Sequence, residues 1–185
     1  MIQGTRITLR PFTRDMWRTY YHWRLDPEVM FWATGESYAF SLVPEEAFMA
    51  AFEQSILVDH HLVSGCLGIF TDDDDFIGEV SYRDMDVVAG SAVLGILIGN
   101  KSYCGKGYGT DAVRTMCRFL FQRFGLRRIQ LDTWPGNVRA LKAYAKVGFQ
   151  VEGRLREALR VNGQPMDQMI LGLLRHELLE DEAMS

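Results

Sequence analysis

Apolar and polar residues alternate first over residues 5–10, where Ile7 and Leu9 share a face, so the chain opens on a strand that ends at Pro11. Residues 15–25 then read as a helix, and Asp26-Pro27 breaks it, because the residue before a proline is driven out of the α region. Pro44-Glu45-Glu46 puts proline and two acids in a first helical turn, which predicts a helix to about Leu57. Residues 62–70 and 76–82 read as strands joined by the turn Asp72-Asp73-Asp74-Asp75, a β-hairpin. Residues 92–99 are mostly apolar, the mark of a buried strand. The helix after them shows its inner stripe as Val113, Met116, Cys117, Leu120, Phe121 and Phe124, and Ile129, Leu131 and Thr133 then alternate as a strand running to Pro135-Gly136. Asn137 can cap a short helix whose inner face is Ala140, Leu141, Tyr144 and Val147, with Gly148 suited to its C′ position. Strands at 150–161 and 166–174 meet at Asn162-Gly163, a strong hairpin dipeptide.

The order is therefore β, α, α, β, β, β, α, β, α, β, β. Hairpins dominate and there is one internal βαβ unit, which makes the fold class α+β (mixed α/β) rather than a doubly wound parallel sheet. Composition adds bounds. A chain of 185 residues, 48% hydrophobic and 24% charged, suits one globular domain, assigned to residues 1–176, with the acidic stretch 177–185 as a loose tail. A net charge of −4 offers no basic field for nucleic acid. No apolar run approaches the roughly 20 residues of a membrane span and no apolar core follows a basic start, so a cytoplasmic protein is expected. Cys66, Cys104 and Cys117 lack C-x-x-C spacing and His22, His60, His61 and His176 lack H-x-x-x-H spacing, so neither a disulfide framework nor a metal site is predicted. The four aspartates of the turn lack the spacing of a calcium loop and read as solvated. Trp17, Tyr20, Tyr21, Trp23, Phe31, Trp32 and Tyr38 crowd one segment, which both helix packing and a substrate-lining role can explain.

The chemistry concentrates between Cys104 and Phe149. Cys104-Gly105-Lys106-Gly107-Tyr108-Gly109-Thr110 runs straight into a helix. Glycines ahead of a helix let several backbone N–H groups converge on a phosphate without a Cβ in the way, and the helix start adds roughly half a positive charge. A second helix start follows at Asn137-Val138-Arg139-Ala140, with Tyr144 and Gly148-Phe149 behind it. An oxyanion-rich ligand is the expectation.

With these motifs the stretch 92–174 resembles the Gcn5-related N-acetyltransferase superfamily, and is most similar to the branch that acetylates ribosomal-protein N-termini. Gly105-Lys106-Gly107-Tyr108-Gly109-Thr110 matches that family's Q/R-x-x-G-x-G/A loop, and Asn137…Ala140…Tyr144…Gly148-Phe149 its second cofactor motif. The N-terminal third fits by element order and by Trp23…Asp26-Pro27-Glu28-Val29. Cys104 departs from the pattern, standing where the family has Gln or Arg.

The resemblance implies a mostly antiparallel sheet of about seven strands flanked by about four helices. It implies acetyl-CoA as cosubstrate and direct attack by a primary amine, of a protein N-terminus or a small molecule, in a ternary complex. Cys104, Gly105, Lys106, Gly107, Tyr108, Gly109 and Thr110 would surround the phosphates, and Leu97 and Ile98 would belong to a strand edge, residues 95–98, that pairs with the pantetheine arm. Asn137 would lie beside the thioester, Tyr144 would act as the acid for the departing thiolate, and Glu79 would act as the base through water. The C-terminal hairpin could support a homodimer. Two other readings stay open: an NAD(P)-binding oxidoreductase using Gly107-x-Gly109-x-x-Ala112 with Asp132 downstream, and a CoA-binding sensor without turnover.

Overall fold

The alternation at the start of the chain becomes β2 (Ile7–Pro11), whose Ile7 and Leu9 are wholly buried. Ahead of it β1 (Ile2–Gln3) pairs antiparallel with β2. The computed structural model describes residues 1–35, 43–56 and 62–180, with residues 52–56 described by backbone alone. Tyr38, and Leu57 as the expected end of a helix, lie outside the described residues.

Helix α1 (Arg14–Leu25) starts where Thr13 accepts a hydrogen bond from the Met16 N–H at 3.3 Å. Asp26-Pro27 does more than stop it. The Asp26 carboxylate accepts from the Glu28 and Val29 N–H groups, and Pro27 takes the first position of α2 (Pro27–Thr34). One dipeptide therefore ends one helix and opens the next. After α3 (Glu45–Ile56), β3 (Gly65–Thr71) and β4 (Phe76–Asp86) form the expected hairpin. It starts later than periodicity suggested and runs past Tyr82, through an irregularity at Asp84, whose φ is 52°. Then come β5 (Ser91–Ile98), α4 (Tyr108–Arg123), β6 (Arg128–Thr133), α5 (Val138–Ala145), β7 (Gln150–Val161) and β8 (Gln164–Leu174).

The strands form one sheet of eight in the order β1-β2-β3-β4-β5-β6-β8-β7. Eight strands and, among the described residues, five α-helices correct the expected seven and four. The additions are β1, too short to show a period, and α2, hidden because Asp-Pro signals a stop and a start equally well.

On one face α4 lays Val113, Met116, Cys117, Leu120 and Phe121 against Ile7, Leu9, Ile69, Val80, Leu94, Ile129 and Leu131. Each fully buried aliphatic side chain of this kind stabilises the fold by about 1.5–3 kcal/mol relative to exposure. On the other face Val29 and Met30 of α2 cover Leu97 of β5. Gly148 sits one position later than expected, since Lys146 is the C-cap of α5; its φ is 111° and its N–H reaches the Ala145 carbonyl at 3.1 Å.

The expectation of a loose tail fails for residues 177–180. Arg114 is buried and needs acceptors; its Nε donates to the Leu179 carbonyl at 2.8 Å, while the Leu179 N–H donates to the Val147 carbonyl at 2.9 Å. Residues 181–185 lie outside the described residues. Among the described residues no helix is long and apolar enough to cross a membrane.

One irregularity positions everything that follows. All neighbouring strands run antiparallel except β5 and β6, which pair in parallel from Ser91↔Arg128 only as far as Val93↔Gln130. Beyond that point β5 stays with β4 to Ile98 while β6 stays with β8 to Thr133, so the sheet splits between them.

Candidate active site

The split holds a cavity of about 360 Å³, within the size range of small-molecule sites. Residues 94–98 of β5 form one wall and Leu131, Asp132 and Thr133 the other. The glycine loop that follows β5 and Asn137, Ala140 and Tyr144 of the segment that follows β6 also border it, and Val29, Trp32 and Ala33 of α2 cover it from the face opposite α4. The two helix starts singled out by sequence thus flank a single cleft.

In the loop, Gly105 and Gly107 have φ of 73° and 92°, a region that side chains rarely tolerate. Gly107 is the N-cap of α4 and no side chain caps that helix, so its first-turn N–H groups are left for a ligand. Of the residues expected around phosphate, Cys104, Gly105, Gly107, Gly109 and Thr110 line the cavity; Lys106 and Tyr108 do not. Cys104 holds its thiol 4.0 Å from the Ile98 carbonyl. Sequence reading missed Arg6, which donates to the Lys106 carbonyl at 2.7 Å and lies 4.4 Å over the Tyr108 ring. No local pattern announces a contact between residues so far apart in the chain.

Leu97 and Ile98 line the wall, on the edge of β5 that is not paired with β6. Asn137 caps α5 through its carbonyl oxygen, which accepts from the Ala140 N–H at 3.3 Å, while its amide donates to the Trp32 carbonyl at 3.0 Å. The same side chain therefore starts a helix and ties α2 to the cavity. Tyr144 also lines the cavity; burial chiefly, and the Asp132 charge secondarily, push its phenol up to about 12. Asp132 faces the cavity from β6 and accepts from Gln168 at 2.9 Å and from Arg83 at 3.3 Å.

Glu79 lies off the cavity wall. It is 7% exposed, in register with Leu97 across the strands, and accepts from the Cys66 thiol at 3.1 Å. Burial raises its pKa to about 7, opposed by hydrogen bonds from Cys66 and Ser81 and by the Arg24 charge. Periodicity alone could not choose between a buried and an exposed face for this residue. The aromatic segment divides in two: the half-buried Trp17 stacks on the buried Phe48 at 4.7 Å, away from the cavity, whereas Trp32 lines the cavity, stacks on Trp134 at 5.9 Å and carries Arg139 5.3 Å above it.

Uncapped N–H groups, an unpaired strand edge and a buried phenol around one cavity fit a polyphosphate carried on an extended, amide-bearing arm. Residues 6–150 match the family described as the acetyltransferase (GNAT) domain. A probable N-acetyltransferase of Bacillus subtilis is 34% identical over 111 residues, 58% of this chain and 60% of that protein. A putative ribosomal N-acetyltransferase of the same organism is 31% identical over 105 residues, 57% of each chain. The chain thus spans about three fifths of the length of these curated relatives. Among solved structures, spermidine N-acetyltransferase from Vibrio cholerae in complex with CoA and spermine shares the fold with a TM-score of 0.82 at 20% identity, covering 94% of this chain and 98% of that one.

Proposed function

The chain belongs to the GNAT acetyltransferase family, and on that footing we propose that it transfers the acetyl group of acetyl-CoA to a primary amine by direct attack in a ternary complex. The observation that carries this reading is the split between β5 and β6, whose single cavity is lined by both the phosphate-ready loop and Tyr144. The loop N–H groups hold the anionic end of the cosubstrate, and the β5 edge at 95–98 aligns its arm and leaves backbone N–H groups to polarise the thioester carbonyl. The acetyl group then lies near Tyr144 and Asn137.

The reaction asks for a neutral amine and a proton for the leaving thiolate. An alkyl ammonium with a pKa of about 10.4 is neutral in roughly one part in a few thousand at pH 7, so a base or a desolvating site is needed; an α-amine of pKa about 8 needs less help. Tyr144 supplies the thiolate's proton: a phenol held near 12 stays protonated until a strong base forms beside it. Glu79, poised near neutrality, takes the proton of the amine. Asp132, on the cavity wall, offers the acceptor a carboxylate.

The acceptor is a protein N-terminus or a small-molecule amine. One relative is named a putative ribosomal N-acetyltransferase and one structural neighbour a spermidine N-acetyltransferase, so both amine classes belong in the deciding screen, which reads free CoA thiol released from acetyl-CoA. Release with one class of amine is the expected result, and no release with any amine refutes acetyl transfer. The dinucleotide reading has little left, since among the described strands β5 and β6 are the only parallel pair and Asp132 is held by Arg83 and Gln168. Acetyl-CoA at about 100 times its Kd should stabilise the fold by about 2.7 kcal/mol, and NAD at the same concentration should leave the melting temperature unchanged.

Tyr144→Phe tests the acid. The ring keeps its place in the core, so acetyl-CoA binding should hold while kcat falls by about 100-fold or more. An unchanged kcat removes Tyr144 from the mechanism.

A further inference from the structure

The cavity does not reach Glu79, and what lies between them is a missing side chain. Gly95 forms part of the cavity wall and pairs across the strands with Ser81. A Cβ placed on Gly95 would come 3.1 Å from the Ser81 Oγ and meet nothing else within 4 Å. Ser81, half-buried on β4, stands two residues from Glu79 and so on the same face of the strand, where Glu79 accepts from the Cys66 thiol. A polar row therefore runs from the cavity past Gly95 to Ser81 and on to Glu79.

We infer that Ser81 is a proton-relay residue, passing the proton of the attacking amine from the cavity to the Glu79 carboxylate through the gap that Gly95 leaves. The inference rests on the acetyl-transfer reading and supplies the path which that reading requires. As the amine nitrogen bonds to the thioester carbonyl carbon and the C–S bond breaks, the amine gives one proton to the Ser81 oxygen, directly or through one water. Ser81 gives its own hydroxyl proton to Glu79. The departing thiolate takes a proton from Tyr144, and Glu79 and Tyr144 return to their starting states by exchange with solvent.

The other groups facing Glu79 cannot substitute for this path. Cys66 on β3 is a thiol that burial and the Glu79 charge keep protonated; it donates to Glu79 and lines neither the cavity nor the space beside Gly95. The Tyr20 phenol on α1 is raised by burial and by Glu79, and Arg24 on the same helix contributes a fixed positive charge that favours the ionised carboxylate. Among these groups Ser81 alone both gives and takes a proton and borders the glycine gap.

The test combines five variants with the amine screen and a pH profile of kcat. Ser81→Ala should bind acetyl-CoA with near wild-type affinity, Ser81→Ala and Gly95→Ala should each lose about 10- to 100-fold in kcat, and the rise in rate near pH 7 should flatten. Ser81→Thr, which restores a hydroxyl, should recover most of the loss. Ser81→Ala combined with Glu79→Gln should cost no more than Glu79→Gln alone, as members of one relay must. A wild-type kcat and pH profile in Ser81→Ala, or losses that multiply in the double variant, overturn the relay while acetyl transfer stands. A wild type that acetylates no amine overturns both.

Discussion

Glu79→Gln should slow turnover and stabilise the fold at the same time. An isolated carboxyl raised from 4.5 to about 7 is one that the folded chain prefers to hold protonated. Between those two values the folded state keeps a proton that the unfolded chain releases, so stability falls as pH rises through the window, and the whole cost is present above it. That cost is about 3 kcal/mol. Glutamine cannot ionise and can still accept from Cys66, so at pH 8 the variant should melt roughly 6–10 °C above wild type. Near pH 4.5 the two proteins should converge. Activity moves the other way: without a base kcat should fall by about 100-fold or more, and the rise in rate near pH 7 should vanish. Thermal melts across pH beside a kcat profile decide it. Equal melting temperatures at pH 8 would mean that no ionised carboxylate is buried here.

This opposition explains why a carboxylate persists where an amide would hold the structure better. Glu79 faces the α1 side of the sheet among Cys66, Ser81 and Tyr20, and the Arg24 charge offsets only part of its desolvation. Buried groups that cost stability and are poised near neutrality are what acid–base chemistry requires. The same logic applies in milder form to Tyr144, which burial keeps protonated and therefore ready to donate.

What could be read from the chain was what depends on near neighbours. Ile7 and Leu9 declare a strand by alternating, α4 declares its buried stripe by spacing, and the glycines of 105–109 declare a ligand by the backbone geometry that they permit. What could not be read depends on pairing across the chain. Whether Glu79 faces in or out is settled by its register with Leu97 and Gly68. Arg6 joins the loop because β2 lies beside the start of α4, where Asp111 accepts from the Thr5 and Arg6 N–H groups at 3.2 and 2.7 Å. The tail is held because Arg114 is buried and takes carbonyls from Leu179 and Lys146, residues far from it in the chain. The split between β5 and β6 is of the same kind: each strand looks ordinary, and only their divergence makes the cavity.

Gly107→Val should remove most acetyl-CoA binding while leaving a folded protein. At a φ of 92° a β-branched residue is strained, at a cost of order 1–3 kcal/mol, and its Cβ would stand 3.4 Å from the Arg6 guanidinium that already bonds the Lys106 carbonyl. The loop can relieve that strain only by rotating peptide units, which turns the N–H groups ahead of α4 away from a common point. Each charge-assisted hydrogen bond lost there is worth about 1.5–3 kcal/mol, so losing one or two weakens the Kd by roughly 10- to 1,000-fold or more. Because Tyr144 and Asn137 keep their side chains, kcat at saturating acetyl-CoA should change little, which places the effect in binding. Gly125 provides the control: it has a φ of 66°, follows the far end of α4, and a Cβ added to it would meet nothing within 4 Å. Gly125→Val should lower the melting temperature by a similar strain and leave affinity intact. If both variants lose stability and neither loses affinity, the glycines of the loop serve the turn alone, and the anionic end of the ligand must be held elsewhere.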